Sequence, residues 1–267
     1  MAVCARRVAA KAFAAGVRAM GRSGWMQLGQ PWGGAKPAWG RRLSQVFSRW
    51  WREGFDTSQY WERRHLAAAG QLRSTGHTHL TEEQNRVDYD AKRVAIEAKL
   101  GEWVGDAVGR SLLDAGCGTG QFSETFARMG FEVTGVDFSP TAVEAARRRT
   151  PGRFQVADLS RMSLGKRFDV VAVIDVLFHI VDDRLWLRTL EHMARHVADD
   201  GYFVVQEHLV EAAPAGAPAT SHVRFRTLEC YDRALADIGA GIRDRYRYDL
   251  PSERSWKDLL LISRLPA

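Results

Sequence analysis

The run Leu112-Leu113-Asp114-Ala115-Gly116-Cys117-Gly118-Thr119-Gly120 restricts the fold more than any other part of the chain. Apolar residues lead into an acid, and glycines then occupy alternate positions. Such an order describes a strand that turns sharply into a helix, because glycine adopts conformations closed to other residues and lets a ligand come close to the backbone. The helix that follows offers free backbone N–H groups at its start. Val133-Thr134-Gly135-Val136-Asp137 repeats the theme of an apolar run ending on an acid.

Strand-like runs at 111–114, 132–137, 153–156, 168–174 and 201–207 alternate with helical patterns at 120–129, 140–149, 182–198 and 227–239. This alternation predicts βαβ units and a parallel sheet. Asp169-Val170-Val171-Ala172-Val173-Ile174 is nearly unbroken apolar sequence, as a strand covered on both faces requires. Two final runs, 242–249 and 257–264, are joined only by a turn at Pro251-Ser252-Glu253-Arg254-Ser255, so they are expected to pair antiparallel. Upstream, Val87, Ala91, Val94, Ala95 and Ala98 recur at helical spacing over 82–104, and Thr81 with Gln84 suits a capping box.

The 267 residues suit one α/β domain with an N-terminal extension. Their net charge of +6 is unevenly placed. Residues 1–52 hold ten Lys/Arg and no acid, which leaves 28 basic against 32 acidic residues elsewhere, a balance of −4. The basic character therefore belongs to a leader and not to the fold, and is weak support for nucleic-acid binding by the core. A poorly ordered extension over 1–54 is expected; its Ala/Arg-rich segment also suits an organellar transit peptide or an anionic membrane surface. No stretch is long and apolar enough to predict a membrane-spanning helix. Cys4, Cys117 and Cys230 are too scattered for a disulfide framework or zinc site, which suits a reducing compartment such as the cytoplasm.

The glycine spacing differs from the Gly-x-Gly-x-x-Gly of dinucleotide-binding loops, since position 121 is Gln. An acid before the loop would repel a pyrophosphate but attract an ammonium group. The acid-Gly-x-Gly-x-Gly order resembles the nucleotide loop of class I S-adenosylmethionine (SAM)-dependent methyltransferases. The resemblance covers about 55–267 and implies a Rossmann-like, seven-stranded, mostly parallel sheet. A C-terminal antiparallel hairpin would close it, with helices on both faces. It further implies a helical cap over 55–105, a SAM-binding core over 106–267, and SAM as cofactor.

The resemblance assigns cofactor contacts to Asp114, Gly116, Cys117, Gly118, Gly120, Asp137, Phe138, Asp158, Leu159 and Asp175. Asp137 would accept from the ribose hydroxyls, although it or Ser139 also suits a cap for a helix opening at Pro140. Asp158 would meet the adenine amino group and the Leu159 N–H a ring nitrogen, with Met162 packing nearby or lying in the core. Asp175, just past the fourth strand, would lie near the sulfonium or cap a helix. Tyr60, beside Trp61, would cover the methionine end by cation–π attraction, and Arg64 or Arg73 would pair with its carboxylate.

His179 and His208 are the candidate catalytic residues, His179 as a base toward a hydroxyl or as a pocket wall. His222, Arg224 and Arg226 would line a pocket for an anionic or polyhydroxyl acceptor. The histidines lack metal-ligand spacing, so no metal is expected. Neither Asn/Asp-Pro-Pro-Tyr/Phe nor a Pro-Cys nucleophile occurs, which disfavours a DNA-base acceptor. Methyl transfer to a small molecule, at oxygen, is the expected function. A non-catalytic nucleotide-binding or scaffold protein and an NAD-dependent oxidoreductase are the alternatives.

Overall fold

A computed structural model describes residues 56–212 and 222–264. The expected extension over 1–54, Phe55 and most of the proline-containing loop at 211–220 lie outside the described residues. Helix α1 (Thr57–Ala67) starts at Asp56, whose carboxylate accepts from the Ser58 and Gln59 N–H groups. A 3-10 turn at Leu72–Ser74 leads to α2 (Glu82–Val104), which opens on the predicted capping box of Thr81 and Gln84.

The core alternates from there: β1 (Ser111–Ala115), α3 (Gln121–Arg128), β2 (Glu132–Asp137), α4 (Pro140–Arg149), β3 (Arg153–Val156), β4 (Phe168–Ile174), α5 (Asp183–Arg195), β5 (Val197–Glu207), α6 (Leu228–Ala236), β6 (Ala240–Leu250) and β7 (Ser255–Arg264). These strands form one sheet in the order β3-β2-β1-β4-β5-β7-β6. Pairings among β1 to β5 are parallel, and β7 runs antiparallel to both β5 and β6. No helix of the described residues is long and apolar enough to cross a membrane.

Alternation within the central strand explains the layers. Val171 and Val173 pack with Trp186, Leu190 and Tyr231 from α5 and α6. Val170, Ala172 and Ile174 pack on the opposite face with Ile96, Leu100 and Phe126 from α2 and α3. Each such side chain, buried completely, contributes roughly 1.5–3 kcal/mol of hydrophobic stabilisation.

Several boundaries differ from the sequence expectation. Helix α5 ends at Arg195, and β5 begins at Val197 where 201 was expected. The Phe168 N–H donates to the His196 carbonyl, Phe168 pairs with Val197, and the register then jumps to Val170–Tyr202. A bulge thus absorbs Asp199-Asp200-Gly201, which reads locally as a turn. The hairpin is also longer than its apolar runs suggest, because β6 as edge strand pairs on one side only and carries charged residues outward. Its turn docks on α2, where the Ser252 N–H donates to Asp88 (2.8 Å).

Candidate active site

The glycine loop sits between the carboxyl ends of β1 and β2. The Gly116 and Cys117 N–H groups both donate to the Val136 carbonyl, at 2.7 and 3.0 Å. Gly116, Gly118 and Gly120 have φ of 82°, 51° and 81°, the left-handed region that favours glycine. Close packing adds a second reason at Gly116, where a Cβ would lie 2.4 Å from Val176 Cγ2. Cys117 is buried beside the loop, and burial pushes its thiol far up, so it serves as a small unreactive side chain.

Asp114 and Asp137 flank this loop, both buried. Asp114 accepts from Ser123 Oγ at 2.5 Å. Asp137 accepts from the Gly118 N–H at 3.0 Å and from the Ser139 N–H at 2.9 Å. Among the described residues neither has a basic side chain within ion-pair distance. Burial accordingly pushes Asp114 up to about 7 and Asp137 up to about 6. The cap of α4 is Ser139, whose Oγ accepts from the Ala142 N–H, which leaves Asp137 for the loop. Phe138 is half-buried between them.

The helical segment before β1 lies against this loop. Thr75 Cγ2 stands 3.0 Å from where a Gly118 Cβ would be, and its hydroxyl meets Tyr89 at 2.7 Å. Glu62 accepts from Ser139 Oγ and Thr141 Oγ1, tying α1 to α4. Tyr60 is stacked on His222, with ring centroids 4.6 Å apart, and meets Trp61 edge-on. Arg64 spans the carbonyls of Arg73 and Gly76 and lies over the Trp61 ring, while Arg73 itself is exposed. Of the two candidate arginines, only Arg64 is held against the aromatic cluster.

Asp158 follows β3 and is engaged locally. Burial pushes its carboxyl up, but hydrogen bonds from Ser160 and Arg161 outweigh this and hold it below the usual range. Leu159 and Met162 both belong to the hydrophobic core, so Met162 takes the packing role.

An ion triad lies just past the end of β4. Asp175 adopts a left-handed φ of 58°. One carboxylate oxygen lies 2.6 Å from Lys92 Nζ of α2, and the other 2.7 Å from Lys257 Nζ of β7. Burial alone would raise Asp175, but the two ammonium groups hold it far below the usual carboxylate range. The carboxylate is therefore the centre of an ion triad and caps no helix; Asp182 caps α5.

His179 ends a 3-10 turn (Leu177–His179) with Nδ1 2.9 Å from the His222 carbonyl. A carbonyl only accepts, so Nδ1 carries the proton and Nε2 keeps its lone pair. Burial holds this imidazole down at about 3. Its ring lies edge-on to Trp61 (4.7 Å) and parallel to His222 (5.4 Å). His208 is anchored separately, with Nδ1 2.9 Å from the Trp256 carbonyl and its ring on Trp256. Arg224 and Arg226 share Asp183, and Arg226 also donates to the Ile180 carbonyl.

Sequence reasoning missed Lys92, Lys257, Trp61 as a partner of His179, and Glu207, which is fully buried at the end of β5. Burial pushes Glu207 up to about 8. A signal existed for Lys257, which shares its strand face with Leu259 and Leu261. Lys92 likewise lies on the helix face of Asp88, Ala95 and Ile96.

Residues 50–260 match the methyltransferase domain family, and the chain belongs to that family. Its fold is that of the class I SAM-dependent methyltransferases. The magnesium protoporphyrin IX methyltransferase of Synechocystis, solved with bound SAM, superposes with a TM-score of 0.63 at 19% identity, covering 79% of this chain and 99% of that one. A ubiquinone biosynthesis O-methyltransferase of Methylobacterium nodulans is 38% identical over 85 residues, 30% of this chain and 34% of the relative. A magnesium-protoporphyrin O-methyltransferase of Rhodobacter capsulatus is 34% identical over 96 residues, 34% of this chain and 41% of that protein. The chain thus spans 34% to 41% of the length of these relatives. Family membership decides against the NAD-dependent oxidoreductase alternative.

Proposed function

We propose that this chain transfers a methyl group from SAM to an oxygen of a small-molecule acceptor. The observation that carries the proposal is the pair of buried carboxylates, Asp114 and Asp137, beside a glycine loop and without a cation partner among the described residues. Two buried acids of raised pKa suit a ligand that brings its own positive charge and hydroxyl donors. A pyrophosphate would bring neither.

In this reading Asp114 faces the ammonium of the methionine moiety and Asp137 the ribose hydroxyls. Gly116, Cys117, Gly118 and Gly120 supply close backbone approach. Phe138, Asp158 and Leu159 border the base, and Tyr60 and Asp175 lie toward the methionine end. When bound, SAM supplies a methyl group that is already electrophilic. The work left to the chain is positioning, which contributes roughly 7–11 kcal/mol where alignment is good. Trp61, His222 and the backbone around His179 form a fixed wall for an acceptor, with Nε2 of His179 as a hydrogen-bond acceptor. His208 and Arg226 border the same region. The O-methyltransferase names of the curated relatives support oxygen as the target.

The organisation proposed with it is a helical cap over 55–105 on a core over 106–267, working in the cytoplasm. If residues 1–52 serve only delivery or tethering, their removal leaves turnover unchanged. The cofactor assignment is tested by thermal stabilisation with SAM, S-adenosylhomocysteine and NAD. A ligand at a hundred times its Kd adds about 2.7 kcal/mol. Stabilisation by the two adenosyl-sulfur ligands alone, abolished in Asp137→Ala, is the expected result. Stabilisation by NAD alone overturns the proposal.

A further inference from the structure

The strongest unused feature is the charge around Asp175. Lys92 and Lys257 each have a side chain only 4% exposed, yet they share one carboxylate. Each ammonium has three N–H donors, and a buried cation needs acceptors and counter-charge. Among the described residues Asp175 is the one acid within ion-pair distance of either lysine. The other carboxylates at this end are committed elsewhere. Glu253 meets His77 and Ser255, and Asp258 takes Arg245 and Arg247. Glu207, buried at the end of β5, faces Arg226 and Lys257, and burial pushes it up to about 8. The neighbouring wall repeats the imbalance, since Arg224 and Arg226 share Asp183. Two lysines therefore share one carboxylate just past β4, and two arginines share another.

The imidazoles at the same place have lowered proton affinity. His179 is held near 3, and His208 and His222 are lowered by burial. A general base works best with a pKa near the working pH, which His179 lacks. An acceptor that arrives already ionised needs no base and supplies the missing negative charge. Val176, next to Asp175, packs on Gly116, so the residue that holds both lysines directly adjoins the glycine loop's neighbour.

Resting on the methyltransferase reading above, we infer that the oxygen methylated by this chain is a carboxylate of the acceptor, held beside Lys92 and Lys257. A lone pair on the carboxylate oxygen forms the new O–C bond to the methyl carbon as the C–S bond breaks and its electron pair stays on sulfur. No proton moves. The acceptor's negative charge and the sulfonium's positive charge both disappear, leaving a methyl ester and a neutral thioether. The ester no longer complements the lysines, which favours its release.

The test uses the full chain saturated with S-adenosylhomocysteine, whose own binding is measured by calorimetry for every variant. Benzoate, benzyl alcohol and methyl benzoate, and separately octanoate and octanol, are then titrated by ligand-observed NMR. The acids are expected to bind at least tenfold tighter than their alcohol and ester counterparts. Lys92→Met and Lys257→Met should remove that advantage, Lys257→Arg should keep most of it, and Asp175→Asn should increase it. A merely structural triad would make Asp175→Asn weaken all probes alike. The inference is overturned if wild-type protein binds the acids no tighter than the alcohols, undetectable binding of both included. It is equally overturned if lysine variants that still bind S-adenosylhomocysteine retain the preference. Failure of the wild type to bind S-adenosylhomocysteine would instead remove the methyltransferase reading itself.

Discussion

Replacing Asp114 with asparagine should stabilise the ligand-free protein while weakening its hold on SAM. Asparagine retains an oxygen for the Ser123 hydroxyl but carries no charge. The folded-state pKa of Asp114 is raised from the ordinary 3.8 to about 7. A raised carboxyl favours folding most below the unfolded pKa, and that advantage is lost as pH rises toward the folded one. At pH 8 the burial of the charge costs about 4 kcal/mol, from about 1.4 kcal/mol per pKa unit. At pH 5.5 only the unfolded chain is ionised at this site, and the cost is about 2 kcal/mol. The variant should therefore gain about 2 kcal/mol over the wild type between pH 5.5 and pH 8. In a body of this size that is a relative Tm change of roughly 4–8 °C. His65, His77 and His179, all held down by burial, titrate alike in both proteins and cancel in the comparison. Thermal unfolding at both pH values, with and without S-adenosylhomocysteine, reads both effects. Parallel pH profiles for the two proteins, or a variant that binds the ligand as well as the wild type, would refute the reasoning.

Gly116→Ala combines left-handed backbone with a Cβ 2.4 Å from Val176 Cγ2, so it should cost about 3 kcal/mol, seen as a lower urea midpoint. Asp175→Asn leaves Lys92 and Lys257 without a counter-charge and should cost about 3 kcal/mol by the same measurement; an unchanged midpoint would mean that the triad carries no stability. Because His179 titrates near 3, its ring is neutral from pH ~6 to 9, so His179→Ala should lower kcat/KM without altering the shape of the pH profile. An inflection near pH ~6.5 in the wild type that disappears in the variant would restore His179 as a base.

Much of the site was legible because its parts are local. The glycine spacing, the acids ending β1 and β2, the capping box of Thr81 and Gln84, and the Ser139-Pro140 helix start all depend on residues a few positions apart. Asp158 follows β3, but its neighbours Ser160 and Arg161 engage it, which its position after a strand does not reveal. Asp175 reads equally as a helix cap or a site acid, and nothing adjacent distinguishes the two.

The sequence alone determined the βαβ order, the antiparallel closing hairpin and the acid-flanked glycine loop, because periodicity and glycine conformations act over short range. Tertiary structure alone decided three things. It brought Lys92 of α2 and Lys257 of β7 to Asp175, 83 and 82 positions away. It laid Trp61 and His222 on His179, and it buried Asp114, Asp137 and Glu207 deeply enough to raise their proton affinity. Charge balance and desolvation depend on what the rest of the chain packs around a group, and no local pattern records that.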